Sequence, residues 1–239
     1  MHGTRDSVGT LTSALLGGID SLDNVEAAVC PPNVFLHLVG ELIAGSPLLL
    51  GAQNVCDEPD GAFTGETSVG MLNEFGCHYV IVGHSERRAI YAESDALVAR
   101  KYRAAQAASL TPILCLGETL AERDAGDTQG VVERQLKAVI DCVGVEAIGQ
   151  SVIAYEPVWA IGTGLSATPE QANEVHSFVR NCVSAQSKVV ADNVRILYGG
   201  SVKPDNAQAL FAQPDIDGGL IGGAALKAGD FLNICRAGA

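Results

Sequence analysis

The first residue able to move a proton is Glu156, which ends an apolar run and stands directly before Pro157. Pro157 removes a backbone donor and stiffens the turn. A carboxylate there, beside Val158, the lone Trp159 and Ile161, suits a general base; taken alone it also fits a solvated or ion-paired glutamate. His84 ends another apolar run just before a helical stretch. A helix N-terminus disfavours imidazolium, so a neutral His84 could donate a hydrogen bond to a substrate oxygen; the alternative is a packed or surface histidine. Two glycine clusters, Gly199-Gly200-Ser201 and Gly222-Gly223-Ala224, each precede a helical segment. Backbone N–H groups at such places can hold a phosphate, although the glycines could equally serve only tight turns.

Other reactive side chains read as structure. Cys115 lies inside an apolar run and reads as packing. Glu86 beside Arg87 and Arg88 reads as a structural ion-pair network, and His2, His37, His78 and His176 as core or surface residues. No His/Cys/Asp grouping has ligand spacing, so neither metal nor cofactor is expected. The 157–164 stretch, rigid and flexible at its ends around an apolar middle, suits a water-excluding lid or an ordinary loop.

Positioning these residues falls to an alternation of short and long elements. Apolar runs at 25–30, 48–52, 79–83, 111–116, 151–155, 195–198 and 218–221 are too short for helices, and several are rich in Val, Ile or Leu on consecutive positions. That is how strands buried on both faces of a parallel sheet read. Between them lie helical stripes: Val8, Leu11, Leu15, Leu16 and Ile19, then Val132, Leu136, Val139, Ile140 and Val143. Further helices are expected at 35–44, 68–75, 97–108, 206–211 and 230–236. Another opens at Thr168-Pro169-Glu170-Gln171, with a Thr cap, Pro in the first turn and Gln three residues on. No linker divides the chain, so 1–239 reads as one α/β domain, a (β/α)8 barrel or a doubly wound sheet. A G-x-G-x-x-G after the first runs is missing, which disfavours the second. Eight helical segments meet only seven strands, so a barrel would lack its first strand in the sequence given.

Composition narrows the partners. The 239 residues are 47% apolar and carry 28 Asp+Glu against 15 Lys+Arg, a formal charge of −13. Such a chain has no electrostatic footprint for nucleic acid or an anionic membrane. No apolar run approaches a membrane span, and the start has no signal-peptide core. Seven cysteines without a C-x-x-C pair read as reduced thiols of a cytoplasmic protein.

Four segments together resemble the triosephosphate isomerase family. They are Val82-Gly83-His84-Ser85-Glu86-Arg87-Arg88, the eleven residues from Ala154 to Gly164, Leu197-Tyr198-Gly199-Gly200-Ser201-Val202 and Leu220-Ile221-Gly222-Gly223-Ala224-Ala225-Leu226. The resemblance implies a TIM barrel and the glycolytic interconversion of dihydroxyacetone phosphate and glyceraldehyde 3-phosphate. It further implies Glu156 as base, His84 as electrophile, Gly162 in the lid, and Ser201, Gly222 and Gly223 around the phosphate. The loop from Gln53 to Ser68, with Ala62-Phe63-Thr64-Gly65-Glu66, resembles the family's dimer loop. The family's N-terminal strand, ending in Asn-x-Lys, has no match, so the chain as written is expected to be an impaired isomerase. The alternatives are a phosphate-binding barrel with another reaction, or an inactive remnant that keeps phosphate binding or subunit association.

Overall fold

The computed structural model describes residues 1–19, 22, 24–161 and 167–238. The seven apolar runs become parallel strands: β1 (Ala28–Val29), β2 (Leu49–Ala52), β3 (Tyr79–Val82), β4 (Thr111–Leu116), β5 (Val152–Tyr155), β6 (Arg195–Tyr198) and β7 (Gly218–Gly219). They are hydrogen-bonded in chain order, each to the next. Parallel neighbours require a crossover, and each crossover here contains helix. The register pairs Val82 with Leu114, Leu116 with Tyr155 and Tyr155 with Tyr198, so the carboxyl ends of β3 to β6 lie side by side.

Side chains alternate along each strand between two cores. Val80, Val82, Leu114, Leu116, Ile153, Tyr155, Ile196 and Tyr198 face the helices, in a core that also takes Leu15, Val98, Leu136 and Val179. Tyr79, Ile81, Ile113, Cys115, Val152 and Ala154 form a second, smaller cluster on the inner face. Burial on both faces explains why these runs are apolar on consecutive positions through their middles.

The sheet is curled. Arg195, at the start of β6, donates to Glu26, just before β1, at 2.6 Å, and to the Tyr79 hydroxyl of β3 at 2.9 Å. In a flat sheet β1 and β6 would be about 24 Å apart, five spacings of about 4.8 Å. Outside, the helix Arg5–Ile19 packs on Leu36–Ile43 and on Ala228–Ala237. Gly18 permits this approach, since a Cβ there would meet Leu232 Cδ1 at 2.6 Å. The helix layer thus runs on from last helix to first, while the ladder of described residues is open between β7 and β1. This is the α/β barrel architecture that the alternation implied. β1 and β7 have two residues each, shorter than the runs at 25–30 and 218–221, because each has one ladder neighbour.

Helix starts follow their caps. Thr168 and Gln171 form the expected capping box of Pro169–Ser184, and Thr119 with Glu122 forms another before Leu120–Asp124. That helix, Val145–Ile148 and Lys188–Asn193 were not anticipated, being too short to show a periodicity.

Candidate active site

Glu156 is the first residue after β5, and its N–H donates to Leu116 O at 2.7 Å. Two glycines let it sit there. A Cβ on Gly117 would lie 1.8 Å from Glu156 O, and one on Gly199 would lie 2.9 Å from Glu156 Cγ. The side chain is 2% exposed. Its Oε2 accepts the Ser85 N–H at 2.8 Å, and Oε1 accepts the Ser85 hydroxyl at 3.3 Å and lies 3.0 Å from His84 Nε2.

His84 reaches that position through a sharp turn. β3 ends at Val82, and Gly83 adopts φ +72°, which a side chain would strain. His84 then caps the helix Ser85–Ile90, its Nδ1 accepting the Glu86 N–H at 3.2 Å. An Nδ1 that accepts carries no proton, so the ring's single N–H is at Nε2, facing Glu156. Burial pulls the imidazole pKa down, but the hydrogen bond to Glu156, its charge and that of Glu86 outweigh burial and raise it. The Glu86 N–H favours an unprotonated Nδ1, while the neighbouring carboxylate works in the opposite sense and favours the charged ring.

Ser201 follows β6 through Gly199 and Gly200, and its carbonyl accepts the Asn206 side chain at 3.0 Å. A Cβ on Gly200 would strike the buried Tyr198 hydroxyl at 2.2 Å, so this glycine serves a close approach. Gly222 and Gly223 open the 3-10 helix Gly223–Leu226, and a Cβ on either would meet nothing within 4 Å. Both clusters leave adjacent strands, with Tyr198 paired to Gly219. Gly162 lies outside the described residues.

The ion pairs of the His84 segment differ from the expected set. Glu86 is largely exposed; Arg87 pairs with Glu93 at 2.6 Å and Arg88 with Asp95 at 2.6 Å. Glu93 also takes Lys101 at 2.5 Å, and both are buried. These partners lie six and seven residues on, beyond the short helix, where adjacency in sequence has no bearing. Arg88 further donates to Gly83 O at 2.7 Å and Cys115 O at 3.2 Å, tying the turn before His84 to β4.

Glu118 stands two residues after the end of β4. It is fully buried and accepts the Trp159 indole N–H at 2.9 Å, the Tyr155 hydroxyl at 3.1 Å and Arg123 at 3.1 Å. Its backbone carbonyl accepts the Val158 N–H at 3.2 Å, and Arg123 lies over the Trp159 ring at 4.4 Å. Glu118 therefore anchors Val158–Ala160, the described start of the 157–164 stretch. Its signal was a carboxylate at the end of β4, next to the strand that carries Tyr155.

A carboxylate held by neutral donors beside an imidazole can take a proton from carbon while the Nε2–H steadies a developing oxyanion. Comparison with known proteins agrees with this chemistry. The family model described as triosephosphate isomerase matches residues 1–238. Triosephosphate isomerase of Thiobacillus denitrificans is 57% identical over 239 residues, covering 100% of this chain and 95% of the relative. That of Dechloromonas aromatica is 56% identical over 237 residues, 99% of this chain and 95% of the relative. That of Nitrosomonas europaea is 54% identical, with 99% and 94% covered.

Proposed function

The chain belongs to the triosephosphate isomerase family, and on that premise we propose that it interconverts dihydroxyacetone phosphate and glyceraldehyde 3-phosphate with Glu156 as the base. The supporting observation is the buried Glu156 carboxylate 3.0 Å from His84 Nε2. Glu156 removes the proton from the carbon next to the carbonyl, and His84 Nε2–H donates to the carbonyl oxygen as it becomes an enediolate. Glu156 returns the proton to the neighbouring carbon. To reach carbon, the carboxylate exchanges its Ser85 and His84 contacts for the substrate. Ser201, Gly222 and Gly223 hold the phosphate with backbone N–H groups, which lets a chain of charge −13 bind a dianion. The 157–164 stretch, of which Gly162 and the residues after it lie outside the described ones, is the proposed lid. The test is an isomerase assay in both directions in deuterium oxide. Product carrying solvent deuterium at the exchanged carbon is expected; no interconversion and no exchange would overturn the reading.

We further propose that turnover by these residues is slow. No Lys or Arg among the described residues is hydrogen-bonded to Glu156 or His84. Without a cation at the oxyanion, turnover is expected to be lower by about 10²–10³. Titration with a phosphate-bearing analogue separates a slow enzyme from an inert one.

The chain pairs with a second copy through the loop from Gln53 to Ser68. Its base is closed by Cys56 N–H to Thr67 O at 2.8 Å, and Phe63 at its tip is 45% exposed. Phe63→Asp is expected to shift the sedimentation profile toward monomer. All seven cysteines are free thiols, which fits a cytoplasmic location, and no helix among the described residues is long and apolar enough to cross a membrane.

A further inference from the structure

Gly117 lies between two residues that hold the Glu156 backbone: Leu116 O accepts Glu156 N–H at 2.7 Å and Glu118 O accepts Val158 N–H at 3.2 Å. In a parallel ladder, alternate residues bond to opposite neighbours. The N–H and C=O of Gly117 therefore face the β3 side, where the chain has already left the sheet at Gly83 and His84. No strand remains there to pair with them. Gln135, a buried residue of the helix Thr128–Val143, takes the strand's place. Its Oε1 accepts the Gly117 N–H at 2.8 Å and its Nε2 donates to Gly117 O at 3.1 Å. The same glycine is pressed against Glu156, since a Cβ there would lie 1.8 Å from Glu156 O.

We propose that Gln135 is a positioning residue for the reaction, clamping the Gly117 backbone so that the Glu156 main chain is held in register beside His84. This rests on the reading of Glu156 as base. A side-chain amide is suited to the task because it presents one donor and one acceptor side by side, matching the two main-chain groups. Removing it leaves both unpaired and frees the 116–118 backbone against which the Glu156 main chain is registered. A displacement of about 1 Å at a reacting group can cost about 10²-fold in rate.

The experiment compares the full chain with Gln135→Met, which keeps the length and apolar packing of the side chain but makes neither bond. As a control, Leu136→Ala cuts a buried core side chain of the same helix without touching Gly117. In Gln135→Met, kcat is expected to fall about ten- to hundred-fold with KM nearly unchanged. In Leu136→Ala, Tm falls and kcat is kept below the melt. Independently of turnover, the ¹⁵N resonances of the His84 ring are expected to shift in Gln135→Met and stay in place in Leu136→Ala, because the Nε2–H to Glu156 contact moves only in the first. Parent-like kcat and His84 resonances in Gln135→Met would overturn the proposal, as would an equal loss of kcat in the control. An inactive parent chain would overturn the functional reading instead, and the His84 resonances would still decide on Gln135.

Discussion

The two ends of the strands each carry a carboxylate that bridges elements far apart in sequence, and they handle it differently. At the amino ends, Glu26 is about half exposed and is held by the Arg195 guanidinium and the Tyr79 hydroxyl. Burial pushes its pKa up, but the two hydrogen bonds and the Arg195 charge lower it overall. At the carboxyl ends, Glu156 is 2% exposed and is held by a backbone N–H, a hydroxyl and an imidazole. A permanent cation makes a carboxylate a fixed strut across the barrel. Donors that can be exchanged for substrate suit the base proposed above. The same strands serve both, since β3 runs from Tyr79 toward His84 and β6 from Arg195 toward Ser201, which places rigidity at one end and chemistry at the other.

The largest expected effect tests that division directly. Glu156→Asp should lower turnover by about two to four powers of ten while KM and Tm change little, as the carboxylate acts mainly in the transition state. Steady-state kinetics beside a thermal melt checks this, and near-parental turnover would break the comparison. Next comes the phosphate side of the same end. Gly222→Asp places a carboxylate in open space beside the proposed anion site, and affinity for a phosphate-bearing analogue should fall about 10²-fold or more. A neutral analogue should lose much less; equal losses would point to folding.

Acid should separate the two ends again. His176 is fully buried behind the carboxyl ends of β5 and β6, against the rings of Tyr155 and Tyr198. Burial, only partly offset by the Asp215 carbonyl, lowers its pKa from 6.5 to about 4. Its folded pKa lies below the unfolded one, so the stability it contributes is complete above pH 6.5 and is lost as pH falls toward about 4. That loss is about 3 kcal/mol. Glu26, whose pKa is lowered from 4.5, keeps its contribution down to about pH 4.5 and loses it below that. Denaturant melts of His176→Phe should therefore lack about 3 kcal/mol of the parent's decline between pH 6.5 and 4. A decline equal to the parent's would assign the acid sensitivity elsewhere. The smallest effect is at the strut: Glu26→Gln should cost about 1 kcal/mol of stability, more at low salt, with turnover unchanged. A rate loss there would mean that the amino ends also tune the site.

Much of this was legible in the chain. The runs at 79–83, 111–116, 151–155 and 195–198 coincide with β3 to β6 because strands buried on both faces are apolar on most consecutive positions. The helix from Pro169 to Ser184 opens at the capping box that Thr168 and Gln171 announce. Glu156 and His84 were visible as strand-end residues, and the fold brings them to 3.0 Å of each other. Glu118 and Gln135 were not visible as partners. A buried acid whose donors are Trp159 and Tyr155, and a glutamine whose partner is a glycine eighteen positions earlier, leave no periodic trace.

What the sequence determined by itself is local: where the backbone is extended, where a helix starts, and which side chains stand at strand ends, all set by neighbours a few positions away. Which carboxylate is pinned and which is free to react was decided only by the tertiary structure. Glu26 meets Arg195 across 169 positions and Glu156 meets Ser85 across 71. A glutamate before an apolar run and a glutamate after one look alike in the chain. They come to differ when the curl of the sheet brings a guanidinium to the first and a helix end with its histidine to the second.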